Sequence, residues 1–201
     1  MPVLELAQLR LLPGQGLQDE TLISVLRRAS KAMQDFSGCP FYFLHSIDNP
    51  DHVYVLGEWP SVEAHVKDFI PGEENQNIVN EVKDRVEIVR LGHFDVRLEQ
   101  VPTRADEIKI ARWVMSPGKV KANYETLFEG NKEEGYVGGW RVDPIDAPYL
   151  GEGAVGKEEY VCFEGLGNAM DRVSHDWTGV SEEAQQMGAV FETDSVKILI
   201  S

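Results

Sequence analysis

Leu4-Glu5-Leu6-Ala7 running into Pro13-Gly14 returns as Ile108-Lys109-Ile110-Ala111 running into Pro117-Gly118, an offset of 104 residues. A second echo, Tyr54-Val55-Leu56-Gly57-Glu58 against Tyr160-Val161-Cys162-Phe163-Glu164, follows in the same order at an offset of 106. Two ordered matches at nearly equal offsets in a chain of 201 residues point to tandem copies of one unit about half the chain long. The polar stretch Glu99 to Asp106 is the natural boundary, which divides the chain into 1–100 and 101–201.

Working outward from the first copy, Val3 to Leu11 is apolar with Glu5, Gln8 and Arg10 interspersed, a strand that Pro13-Gly14-Gln15-Gly16 breaks. From Asp19, Leu22, Val25, Leu26, Ala29, Met33 and Phe36 recur at spacings of three and four, the stripe of an amphipathic helix, and Gly38 ends it. Cys39 to Ile47 and His52 to Trp59 read as a hairpin around Asp48-Asn49-Pro50-Asp51. Ser61 caps a following helix that runs to about Ile70, breaks at Pro71-Gly72 and resumes through Ile78 and Val82; Arg85 to Leu98 is a last strand. The second copy repeats this order as strand 107–115, helix 118–130, strands 136–143 and 158–165, helix 168–177 and strand 195–200. The connection Pro144 to Lys157 is long and rich in Gly and Pro; it reads either as a lid over a cavity or as a solvated ornament.

A β-α-β-β-α-β unit packs both helices on one face of its sheet and leaves the other face bare. Two fused units can therefore bury those faces against each other, which predicts an α+β protein with two ferredoxin-like repeats closed into a pseudo-dimeric barrel. Such an enclosure holds side chains or one small ligand. Composition agrees with a globular chain: 42% hydrophobic and 26% charged residues. The net charge of −15 argues against nucleic acid and anionic membranes as partners. No stretch approaches the roughly 18 apolar residues of a membrane span, and Cys39 and Cys162 lie in apolar runs as expected of reduced thiols, so a cytoplasmic protein is expected.

Glu58-Trp59-Pro60-Ser61-Val62-Glu63-Ala64-His65, preceded by the Asn49-Pro50-Asp51 turn, resembles the dimeric α+β barrel superfamily and most of all its antibiotic-biosynthesis monooxygenase (ABM) domain. The first hundred residues carry this resemblance; the second half shares the pattern and Glu164, with Gly165 where Trp59 would stand. The resemblance implies a monooxygenase that needs no cofactor and acts on a small aromatic or polyketide-derived molecule in secondary metabolism. A polyketide cyclase or isomerase of the same fold, or a small-molecule binding protein without turnover, is the alternative, and two chains can pair into a homodimer. Haem, used by some relatives, is not expected, because His65 falls in the first turn of its helix and the first strand offers no matching Asn.

Glu58 and Glu164 are the candidate general bases, since a carboxylate in a partly apolar cavity has its pKa raised toward neutrality; the other reading is a carboxylate paired with Arg10, Arg90 or Arg112. Strand alternation puts Tyr54 beside Glu58 and Tyr160 beside Glu164, which predicts two inward Tyr and Glu pairs, one per half. His93 and His45 are further bases for deprotonating a phenol, or else structural histidines. Trp59 and His65 in the first half, and Arg112, Trp113, Tyr124 and Trp140 in the second, are candidates for substrate contact; Trp59 reads first as core packing under a helix, and Trp113 and Trp140 equally suit a hydrophobic core. No spacing of ligands suggests a metal site, and no Gly-rich phosphate loop or serine elbow is present.

Overall fold

The structure is a computed structural model that describes residues 1–115, 128, 136–144, 146–147, 149, 155–167 and 178–201. The expected helix 118–130 apart from Phe128, the expected helix 168–177, half of the connection 144–157, and Tyr124 lie outside the described residues. Among the described residues no helix is long and apolar enough to cross a membrane.

In chain order the elements are β1 (Val3–Leu11), α1 (Glu20–Ser37), β2 (Phe41–Ser46), β3 (His52–Trp59), a π-helical turn (Ala64–Phe69), α2 (Glu73–Val82) and β4 (Val86–Phe94). After a short 3-10 turn at Leu98–Gln100 come β5 (Glu107–Met115), β6 (Tyr136–Trp140), β7 (Glu158–Leu166), α3 (Thr178–Gln186) and β8 (Val190–Ile200). The limits of α1 follow from its sequence. The Asp19 carboxylate accepts the amides of Thr21 and Leu22 at 2.8 and 3.3 Å, and Gly38 takes the left-handed conformation, φ 75°, that closes a helix without steric cost. Its stripe Leu22, Val25, Leu26 and Met33 is buried on the sheet, each side chain contributing about 1.5 to 3 kcal/mol.

The strands form one curled eight-stranded sheet in the order β4-β1-β3-β2-β8-β5-β7-β6, antiparallel throughout. The halves join where β2 pairs with β8, with Leu44 opposite Ile198 and Ser46 opposite Val196. At the far seam Phe94 bridges Arg141, the Val142 amide donates to the His93 carbonyl at 2.8 Å and the Asp95 amide to the Trp140 carbonyl at 3.0 Å. Leu4, Leu6, Leu44, Leu56, Ile108, Ile110, Phe163 and Val196, drawn from both halves, fill the interior as one core. The sheet therefore curls around side chains.

Register also decides which residues look inward. Leu9 lies opposite Val53 and Ala7 opposite Val55, whereas Trp113 lies opposite Tyr160 and Ala111 opposite Cys162. Tyr160 and Cys162 thus pack on the helix side with Trp113, while Tyr54 and Leu56 belong to the shared interior. The expected pair of inward Tyr and Glu lines, one per half, is not formed: the echo at offset 106 is one residue out of step with the strand pairing, and a slip of one residue reverses the face of every side chain. Gly165, opposite Ile108, occupies the place of Glu58, opposite Leu4; Leu166 occupies that of Trp59.

Candidate functional site

Glu5 is the carboxylate on the helix-facing side of β1, in line with Val3, Ala7 and Leu9, and the ladder places it beside His93 of β4 and Gly57 of β3. Above it the chain after β3 winds into a π-helical turn. Ser61 Oγ accepts the Ala64 amide at 3.1 Å, and the Ile70 amide donates to the His65 carbonyl, five residues back, at 2.9 Å. Pro71 then stops the turn, since it has no amide to continue it. This wide turn carries His65 and Phe69 inward.

There His65 stacks on Trp59 with ring centroids 4.1 Å apart and planes 7° from parallel. Trp59 is fully buried and donates its indole N–H to Glu5 Oε2 at 2.6 Å. His65 Nδ1 lies 2.8 Å from His93 Nε2, and His93 Nδ1 lies 2.7 Å from Asp143 Oδ1. The His93 amide donates to Asp143 Oδ2 at 2.6 Å, and the Tyr149 hydroxyl to Asp143 Oδ1 at 2.9 Å. Asp143 and Tyr149 come from the connection between β6 and β7, so the second half of the chain completes a polar line that begins in the first.

This line ends at a cavity of about 460 Å³ between α1, α2 and the sheet, lined by Glu5 and His65 and otherwise mainly by apolar side chains such as Leu26, Met33, Phe69, Val82 and Leu91. Burial pushes the Glu5 carboxyl up to about 7, against the opposing pull of His93 and the Trp59 N–H. Burial, helped by His93, lowers the His65 imidazole to about 3, so it is neutral at physiological pH. The cavity thus presents one carboxyl that titrates near neutrality and one uncharged imidazole. Since Nδ1 of His65 is taken by His93, Nε2 is the ring nitrogen left for a ligand.

The remaining candidates fall elsewhere. Glu58 faces the interior side of the sheet and is held by Arg97, through Nε at 2.9 Å and Nη2 at 3.1 Å, and by the Leu98 amide at 2.9 Å. Burial alone would raise its carboxyl, but the Arg97 hydrogen bonds and the Leu98 amide outweigh it and keep the group below the usual range, which suits an ion pair better than a base. Tyr54 donates to Asp194 at 2.7 Å and shares a small polar pocket of about 180 Å³ with Arg112, itself paired with Glu159 through Nε at 2.6 Å. His45 bonds the Pro50 carbonyl at 3.1 Å across its hairpin, and Glu164 is buried opposite Lys109 and Tyr136. Trp113, Trp140 and Tyr160 join Phe128 in the aromatic core of the second half, where Tyr160 stacks on Phe128 at 4.1 Å. Of the candidates read from sequence, then, His65, His93 and Trp59 come together. Glu5, Asp143 and Tyr149 were missed. The signal for Glu5 was a lone carboxylate on the apolar face of its strand; nothing local marks the other two.

No family model matches the chain, and no curated protein does. Solved structures of similar fold include an anthrone oxidase-like protein, 13% identical, with a TM-score of 0.62 over 98% of this chain and 91% of that one. A provisionally named monooxygenase from Fusobacterium nucleatum, 7% identical, gives 0.60 over 98% and 92%, and a provisionally named chlorite dismutase, 14% identical, gives 0.56 over 98% and 94%. The last of these corrects the reading in which no cofactor is used and haem is not expected: the same fold, over nearly the full chain, is shared with a protein named as a chlorite dismutase, a kind of enzyme that binds haem. The curled eight-stranded sheet with helices on its outer side is the dimeric α+β barrel fold, in the form found in monooxygenase-like proteins.

Proposed function

We propose that the chain is a monooxygenase-like enzyme that takes a small aromatic or polyketide-derived molecule into the first-half cavity, with Glu5 as its base. The observation that carries this reading is a buried carboxyl with a pKa of about 7 on the wall of an apolar cavity, since a base is most effective when its pKa lies near the working pH. Anthrone, chosen because of the anthrone oxidase-like neighbour, makes the reaction concrete. Glu5 accepts a proton from the ring methylene, and the anion so formed passes electrons to dioxygen. One oxygen atom becomes the new ring carbonyl as the methylene loses both hydrogens, and the other leaves as water.

Oxygen uptake with anthrone tests it. Glu5→Gln should lower turnover by about a hundredfold, and Ala29→Phe, which fills the cavity from α1, should abolish it while the chain stays folded. Glu58→Gln should leave turnover unchanged, because Arg97 already holds that carboxylate ionised. Equal turnover in wild type and Glu5→Gln would refute the assignment.

The unpartnered Nε2 of His65 favours a second reading, in which the same cavity holds haem. His65 would hold it, with Nδ1 anchored by His93 as metal-bound imidazoles are anchored, and Lys83 at the exposed rim would offer a positive charge to an acidic substituent. Bound there, haem would supply a redox-active iron for oxygen chemistry. Haemin titration checks this: a shifted absorption band in wild type that is absent in His65→Ala supports it, and an unchanged spectrum in wild type rejects it.

The tandem arrangement of 1–100 and 101–201 belongs to the same proposal. Its support is that β4-β1-β3-β2 and β8-β5-β7-β6 follow one pattern. The first copy has a cavity on its helix side, while Trp113, Phe128 and Tyr160 occupy the described part of that side in the second.

A further inference from the structure

Asp143 is met by three groups: the His93 amide donates to Oδ2, the Tyr149 hydroxyl donates to Oδ1, and His93 Nδ1 lies 2.7 Å from the same Oδ1. The backbone amide can only donate, the Tyr149 hydroxyl donates here, and a carboxylate only accepts, so the hydrogen shared with His93 sits on Nδ1. A neutral His93 carries that hydrogen alone and offers a lone pair at Nε2. The hydrogen between the two rings, 2.8 Å apart, must then belong to His65 Nδ1. The Glu5 carboxyl, 3.8 Å from the same nitrogen, favours the same arrangement. Besides Asp143, Glu63 and Arg141 act by their charge on the Tyr149 hydroxyl.

We infer that Asp143 is a positioning residue that fixes the tautomers of His93 and His65, so that the cavity meets a bare lone pair on His65 Nε2 and selects aromatic ligands bearing a hydroxyl hydrogen. The selectivity rests on the proposed use of the cavity; the tautomers do not. The control is remote from the ligand and crosses from one half of the chain to the other. It also has a consequence that geometry dictates. In Asp143→Asn the amide oxygen must stay on the His93 backbone N–H, which turns the amide NH2 toward His93 Nδ1. His93 then accepts at Nδ1 and donates from Nε2, His65 accepts at Nδ1, and the hydrogen at the cavity end appears on His65 Nε2.

Long-range proton–nitrogen correlation spectra of the full chain, with nitrogen-15 in its histidines, read this directly at pH 8. Wild type should show hydrogens on Nδ1 of both His65 and His93, Asp143→Asn should show both on Nε2, and Tyr149→Phe should keep the wild-type pattern. A wild-type His65 protonated on Nε2, or a His93 carrying two hydrogens, overturns the inference, as does an Asp143→Asn spectrum identical to wild type. Phenol and anisole, the same ring with and without a hydroxyl hydrogen, are the binding probes: wild type should prefer phenol by about tenfold, and Asp143→Asn should lose the preference. If Asp143→Asn does not fold, the wild-type spectrum and the phenol preference decide alone. Expected tautomers with neither probe bound would sink the cavity reading and the selectivity with it, while leaving the protonation pattern established.

Discussion

At the scale of single residues the site is two titrating groups with opposite linkage. Folded Glu5 keeps a proton that the unfolded chain releases, between pH 4.5 and about 7, so its contribution to stability is whole below 4.5 and is lost as pH rises through 7. Folded His65 refuses a proton that the unfolded chain takes up, between pH 6.5 and about 3, so its contribution is whole above 6.5 and is lost as pH falls toward 3. The two slopes cancel between pH 4.5 and 6.5. Urea unfolding of the wild type should accordingly show a nearly level stability across that window, whereas His65→Gln should lose about 3 kcal/mol between pH 4.5 and 7. A level profile in the variant would mean that Glu5 is not raised. Glu58 behaves differently: its partner Arg97 is half exposed, so Glu58→Gln should cost only about 1 kcal/mol of stability.

Elements set where those residues stand. Both ends of α1 were legible in the sequence, because an N-cap carboxylate and a left-handed glycine act locally, and Asp19→Ala should lower stability by about 1 kcal/mol in denaturant titration. The helix after Ser61 was legible only as a helix. Its π-helical winding, which swings His65 onto Trp59, is set by what lies beneath it. In the second half β5 and β7 fall where alternation puts them, but the last strand begins at Val190 instead of 195, and α3 at Thr178–Gln186 follows the segment in which a helix had been expected. Gly57 shows the packing of β3: a Cβ there would lie 2.2 Å from the Phe41 ring, so Gly57→Ala should displace that ring.

Across the whole molecule the halves share one core, so they should unfold together. Phe163→Ala, a second-half substitution in the common interior, should cost about 3 to 5 kcal/mol and raise hydrogen exchange in β1 and β4 as much as in β5. Two separate thermal transitions would contradict a single sheet. The sequence by itself determined the order of strands and helices in the first half, the ends of α1 and the need of each half to cover a sheet face, because periodicity, caps and turn residues act over a few positions. It could not choose the interior of the sheet against the space beneath the helices as the place for a ligand. Only the tertiary structure decided that the interior is packed and that the cavity lies beside α1, since filling depends on side-chain volumes from both halves. Nor could it find Glu5, His65, His93 and Asp143 as one line. Their contacts span as many as 88 residues of chain, from Glu5 to His93, and a strand register that slips by one residue reverses which faces meet.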